Sequence, residues 1–185
     1  MLVVAVTGPE STGKTTLSRQ LAAYYHTSWV PEYARAYLEE NGPDYTLPDL
    51  EAIARGQLEA EARAVTEAQA QSHAVLLADT DLLVIKVWAE HAFGHCPSWI
   101  LERLAQQHYD LVLLLSVDLP WEPDPLREHP HLRQHFFQVY QQALQDQKVN
   151  FAVISGTYDQ RFNQARLLVD ELLLADKQKE AGGQP

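Results

Sequence analysis

Leu2-Val3-Val4-Ala5-Val6-Thr7-Gly8-Pro9-Glu10-Ser11-Thr12-Gly13-Lys14-Thr15-Thr16 decides how this chain reads. Leu2–Thr7 is an unbroken apolar run closed by a glycine turn, the pattern of a strand buried on both faces. From Gly13 to Tyr25 the spacing turns helical, with Leu17, Leu21 and Tyr24 on one face. Between them lies G-x-x-x-x-G-K-[ST]. Its glycines let successive N–H groups curl round an anion with no Cβ in the way. The helix that follows aims the positive end of its dipole at the same point. Lys14 is the mobile cation for the β- and γ-phosphates, and the Thr15 hydroxyl is placed to hold Mg²⁺. The expected nucleotide-binding loop is therefore Gly8, Glu10, Ser11, Thr12, Gly13, Lys14, Thr15 and Thr16. Average residue usage puts a chance match in roughly 1 in 100 chains of this length. The strand leading in and the helix leading out tell further against an ordinary glycine turn. So does Lys14 itself, the only lysine before Lys86.

Outward from this loop, short apolar strands alternate with helices. Ser28–Val30 reads as a short strand ended by Pro31, and Leu47–Ser72 as a long helix. Ala74–Ala78 is a strand; Leu82–His91 and Ser98–His108 are helices; Asp110–Ser116 is a strand. Asp118–Pro130 holds four prolines and reads as a loop. Leu132–Gln147 is helical, Phe151–Ser155 a last strand, and Arg161–Leu174 the closing helix. The expectation is an α/β fold of the P-loop NTPase type, a parallel sheet of about five strands with helices on both faces. Residues 1–175 form one domain with a lid-like segment at about 118–135, and 176–185 is a disordered tail.

Composition narrows the classes. The 185 residues are 46% hydrophobic, too apolar for a disordered chain, and carry a formal net charge of −11. That charge makes a poor nonspecific partner for nucleic acid or an anionic membrane. The single cysteine, Cys96, excludes an intrachain disulfide and a four-cysteine zinc site, and the reducing cytoplasm is the expected compartment. The apolar N-terminal run is too short for a signal peptide or a bilayer span.

Other residues extend the site. Asp79 ends an apolar strand, where such a fold sets a carboxylate beside the phosphate loop, and is expected to hold Mg²⁺, with a cap of the next helix as its alternative. Asp81 is open between a helix cap and a substrate contact. Arg127, with Arg133 just after it, sits in the proline-stiffened loop, where a closing lid delivers arginine to the transferring phosphoryl group. In Trp29-Val30-Pro31-Glu32-Tyr33-Ala34-Arg35, Glu32 is placed to take or orient the proton of an acceptor hydroxyl. Arg35 binds phosphate or fixes Glu32, and Tyr33, Trp88 or Trp121 stack on a ring. Trp29 and Tyr33 also suit core positions, and Glu32–Arg35 a surface ion pair. Tyr158 and Arg161 follow the last strand, where related folds hold adenine. His91 and His95, like His131 and His135, are four apart, but no carboxylate or thiol completes a metal set, so packed or solvated histidines are expected. No N-K-x-D segment follows the late strand, which argues against a GTPase and for a small-molecule kinase.

G-P-E-S-T-G-K-T, V-P-E-Y-A-R, A-R-G-Q at 54–57, D-T-D-L-L-V-I-K-V-W at 79–88, F-G-x-C-P-x-W-I at 93–100, Y-D-L at 109–111 and P-W-E-P-D-P-L-R-E-H-P at 120–130 run in order along the chain. Together, over residues 2 to 174, they resemble the ribosylnicotinamide kinase domain of NadR-type proteins. The resemblance implies a nucleoside-monophosphate-kinase-like fold. It also implies transfer of the ATP γ-phosphate to the 5′-hydroxyl of nicotinamide riboside, giving nicotinamide mononucleotide, with ATP and Mg²⁺ as cofactors. It carries over Lys14 and Thr15 as phosphate and Mg²⁺ positions, and Glu32, Tyr33 and Arg35 as the substrate-side motif. Asp79 and Asp81 become the acidic pair, Trp88 a nearby wall and Arg127 the lid arginine. NadR-type proteins also carry an adenylyltransferase domain, for which there is no room ahead of residue 2, so the kinase step alone is expected. A kinase of another nucleoside or nucleoside monophosphate, and a non-enzymatic ATP-sensing module with a protein partner, stay open at this point.

Overall fold

The apolar runs become strands of one parallel sheet in the computed structural model, which describes residues 1–182. The strands are β1 (Leu2–Thr7), β2 (Trp29–Val30), β3 (Val75–Asp79), β4 (Leu111–Leu115) and β5 (Phe151–Ile154). Their order is β2-β3-β1-β4-β5, so β1 lies at the centre between β3 and β4. Pairing sets Val6 beside Asp79 and Thr7 beside Leu114. The loop after β1 and the carboxylate ending β3 therefore emerge side by side at the carboxyl edge of the sheet, where ligands bind in open α/β folds.

Helices cover both faces, as parallel strands require. They are α1 (Lys14–Tyr25), α2 (Tyr33–Asn41), α3 (Leu47–Ala70), α4 (Leu82–Phe93), α5 (Ser98–Gln106), α6 (Arg133–Asp146) and α7 (Tyr158–Gly182). Alternation along the strands divides the core. Val4, Val6, Leu77 and Leu113 pack with Leu17 and Leu21 of α1 and Val169 of α7. Ala5, Leu76, Ala78 and Leu114 face the other way, against Leu83 and Val87 of α4 and Phe136 and Tyr140 of α6. A third cluster, built on Leu50, Ile53, Leu82, Ile85 and Ile100, joins α3, α4 and α5. The start of α3 is held by a reciprocal Thr46–Asp49 capping box with Pro48 in the first turn.

Two elements differ from expectation. α2 was not foreseen; it begins inside the V-P-E-Y-A-R motif, directly after the turn made by Pro31 and Glu32. α7 runs past Leu174 to Gly182, so the tail expected from 176 is helical as far as the described residues go, and 183–185 lie outside them. Ala175, Lys177, Gln178 and Lys179 are good helix formers and nothing there breaks the turn. Between Leu115 and Arg133 the chain forms no helix or strand. Among the described residues no helix is long and apolar enough to cross a membrane.

Candidate active site

The turn between β1 and α1 has the conformation its glycines permit. Gly8 has φ +137°, and a Cβ there would lie 3.0 Å from the Leu115 carbonyl oxygen, so only glycine passes beside β4. Gly13, φ +83°, opens α1 without any side-chain cap, which leaves the first N–H groups of the helix for a ligand. The Thr12 hydroxyl donates to the Pro9 carbonyl at 2.8 Å. Lys14 Nζ folds over its own loop, donating to the carbonyls of Gly8 (3.0 Å) and Pro9 (3.1 Å). Thr16 also lines the cleft beside it.

Thr15 Oγ1 donates to Asp79 Oδ2 at 2.6 Å. Asp79 is fully buried, and among the described residues its Oδ1 has no partner. Burial pushes this carboxyl up to about 6, the nearby Glu32 charge adds to the effect, and Lys14 and Thr15 oppose it. A buried carboxylate oxygen without a partner, next to an exposed hydroxyl at the phosphate loop, is a hard-oxygen donor pair that suits Mg²⁺.

The loop forms the floor of a cleft of about 190 Å³. Glu32, Arg35 and Leu38 form one wall, Val84, Trp88 and His91 of α4 a second, and Phe136 and Tyr140 of α6 the back. The segment expected as lid-like, about 118–135, is hydrogen-bonded to the phosphate loop. Both Glu10 carboxylate oxygens accept from the Glu128 N–H (3.2 Å each), and one accepts from His129 N–H (3.1 Å). Ser11 Oγ accepts from Glu122 N–H at 2.8 Å. Arg133 donates to the carbonyls of Ser11 and Leu119, both at 3.1 Å. Arg127 donates to the Glu122 carbonyl and reaches Ser11 Oγ at 3.5 Å. Arg35 ties the lid to α2 through Asp124 at 3.0 Å.

Lys14, Thr15, Glu32, Arg35, Trp88 and Arg127 thus meet in one cleft. Asp79 meets the cleft only through Thr15, and Trp121, Arg133, Tyr33, Asp81 and Arg161 do not line it. Tyr33 packs its ring over Gly56, and its N–H donates to Gln57 Oε1 at 2.8 Å. Asp81 takes the capping role of its two alternatives: it accepts from Val84 N–H and from the Thr7 hydroxyl, each at 3.2 Å. It is 3% exposed, and burial pushes its carboxyl up to about 6. Arg161 is buried beneath the loop with its guanidinium on main-chain carbonyls, while Tyr158 lines the cleft.

The aromatic back of the cleft escaped the sequence reading. His91 is a packed histidine, as expected, and meets His129 edge-on at 4.6 Å and Phe136 at 4.9 Å. Trp88 is edge-on to Tyr45 at 4.6 Å. The available signal was the spacing Val84, Val87, Trp88, His91 on α4 with Phe136 and Tyr140 on α6, which ordinary core packing also produces.

The family described as AAA domain matches residues 3–161. The chain is 29% identical over 177 residues to the trifunctional NAD biosynthesis/regulator protein NadR of Escherichia coli strain K12. That match covers 92% of this chain and 42% of the relative, so the chain spans less than half of the relative's length. Among solved structures, a NadR protein in complex with NAD and AMP-PNP is similar at a TM-score of 0.73 and 26% identity, over 92% of this chain and 49% of that one. A NadR protein in complex with NR is similar at 0.71 and 26%, over 92% and 51%. Thymidylate kinase from Ehrlichia chaffeensis, at 16% identity, shares the fold with a TM-score of 0.60 over 93% of this chain and 98% of its own.

Proposed function

The chain belongs to the AAA domain family, and on that premise we propose that it is an ATP-dependent kinase of nicotinamide riboside, forming nicotinamide mononucleotide. One observation carries the reading: a single cleft joins a complete phosphate loop, a carboxylate free to face an acceptor hydroxyl, and an aromatic chamber. The similarity to a NadR protein in complex with NR supports the choice of acceptor.

The loop amides and Lys14 hold the β- and γ-phosphates of ATP, Lys14 leaving the Gly8 and Pro9 carbonyls when phosphate arrives. Thr15 and Asp79 would hold Mg²⁺, which would offset charge on the phosphate oxygens. Glu32 accepts the proton of the 5′-hydroxyl as its oxygen bonds to the γ-phosphorus and the bond to the β-phosphate oxygen breaks, leaving ADP. Arg127, carried by the lid, and Arg35 of α2 face the negative charge that spreads over the transferring group. Trp88 and the Phe136–His91 wall receive the pyridinium ring, a cation suited to π faces. Asp81 acts by capping α4 rather than by touching the substrate. We place this activity in the cytoplasm, without a nucleic-acid or membrane partner.

The test is a coupled ADP-release assay with ATP and Mg²⁺ over nicotinamide riboside, nicotinic acid riboside, uridine, cytidine, thymidine and nucleoside monophosphates. Selective turnover of nicotinamide riboside is expected. Preference for another acceptor overturns the substrate, and ATP binding without turnover of any acceptor overturns the kinase.

A further inference from the structure

Arg161 is 1% exposed, and its guanidinium is committed to three segments of chain. Nε donates to the Gly156 carbonyl at 2.8 Å, and the two terminal nitrogens donate to Thr12 (2.7 Å) and Ser116 (3.0 Å). The nitrogen that meets Ser116 also bonds Asp118 Oδ1, and Asp118 Oδ2 accepts from Gly156 N–H at 2.5 Å. One buried cation thereby joins the phosphate loop, the root of the lid and the turn between β5 and α7. Such a charge is tolerable in the interior because a carboxylate and three carbonyls face it.

We infer that Arg161 is a positioning residue that aims the phosphate loop, acting through Thr12 rather than by contact with nucleotide. The peptide unit between Thr12 and Gly13 is planar and trans, so its C=O and N–H point in opposite directions. Drawing the Thr12 carbonyl down onto Arg161 turns the Gly13 N–H away from Arg161, towards the concave side where the anion sits. Without the guanidinium, three inward-facing carbonyls lose their donor and that peptide unit is free to rotate. The inference rests on the reading of the loop as the ATP-phosphate site.

Arg161→Met and Asp118→Asn in the full chain test it, by calorimetric titration with Mg²⁺-tripolyphosphate, Mg²⁺-AMP-PNP and nicotinamide riboside, alongside thermal unfolding. Tripolyphosphate reports on the phosphate end of the cleft without the nucleoside. Arg161→Met is expected to weaken tripolyphosphate and AMP-PNP by the same factor, about 10- to 100-fold, as loss of a group orienting a ligand-contacting one does. Riboside affinity should stay within about twofold, the loop being a separate site. Asp118→Asn should move both phosphate ligands in the same direction by a smaller factor. Unchanged tripolyphosphate binding with weakened AMP-PNP would assign Arg161 to the nucleoside end and overturn the inference. Equal loss of all three ligands would overturn it in favour of a general scaffold role. If Arg161→Met does not fold, Asp118→Asn carries the test, and unchanged tripolyphosphate binding there is decisive against it. A wild-type chain that binds neither phosphate ligand overturns the ATP reading itself, and the inference with it.

Discussion

Gly56→Ala should damage turnover far more than it damages the fold. Gly56 lies within α3, and a Cβ at that position would stand 2.2 Å from Tyr33 Cε1, 2.3 Å from Cζ and 2.5 Å from Cδ1. Carbon atoms pack at about 3.5 Å or more, so the ring must retreat by roughly 1.3 Å. Tyr33 follows Glu32 directly, and its N–H is pinned by Gln57 Oε1, one residue along from the new methyl group. The strain therefore passes to Glu32, which lines the cleft. On stability two terms oppose: alanine gains about 1 kcal/mol over glycine within a helix, and overpacking loses about 1–3 kcal/mol. The net change is small, about 0–2 kcal/mol of destabilisation. A catalytic group misplaced by about 1 Å loses on the order of 10²-fold in rate. Gly56→Ala is thus expected to unfold in urea near the wild-type midpoint, bind AMP-PNP normally and turn over about 100-fold more slowly. Adding Tyr33→Leu removes the ring from the new methyl group and should recover at least about tenfold of that loss. A Gly56→Ala chain with wild-type turnover, or a double variant no better than the single, would refute the coupling of Gly56 to Glu32 through Tyr33.

Lys14→Ala should lower turnover by about 10³-fold while shifting the melting temperature little, because Lys14 Nζ bonds only carbonyls of its own loop; activity near wild type would remove the loop from the mechanism. Thr15→Val should raise the Mg²⁺ concentration for half-maximal activity by about tenfold or more, and an unchanged Mg²⁺ titration would dissociate Thr15 from the metal. A pH prediction comes from Glu61, which accepts from the Tyr109 hydroxyl at 2.8 Å and whose pKa burial raises. The folded chain then holds that proton more tightly than the unfolded one. Its contribution to stability therefore falls as pH rises from the ordinary glutamate range through the raised value. Glu61→Gln should unfold later in urea than wild type at pH 8 and equally at pH 4, and a gain of the same size at both pH values would contradict the assignment.

The phosphate loop and the parallel five-stranded sheet around it were legible because local chemistry and fold coincide there. Gly8 and Gly13 have the positive φ their motif needs, and Leu2–Val6 is apolar throughout because helices cover both its faces. Glu32, Arg35 and Arg127 were legible from motif position, and all three line the cleft. The rest depended on what long-range packing does with residues of two plausible uses. Asp81 has the residue type of a substrate contact and of a cap, and only burial against Thr7 and Val84 decides for the cap. Arg161 lies near the expected adenine site along the chain, yet the carbonyls of Thr12 and Ser116 draw it underneath the loop. His91 and Phe136 become a cleft wall only because α4 and α6 meet across the mouth of the sheet, a juxtaposition no local spacing encodes.

The central claim is tested most directly by identifying the product. Purified chain with ATP, Mg²⁺ and nicotinamide riboside should yield nicotinamide mononucleotide and ADP in equal amounts by chromatography and mass spectrometry, with Lys14→Ala as the blank. ADP formed without nicotinamide mononucleotide, or equal yields from wild type and Lys14→Ala, would contradict the account.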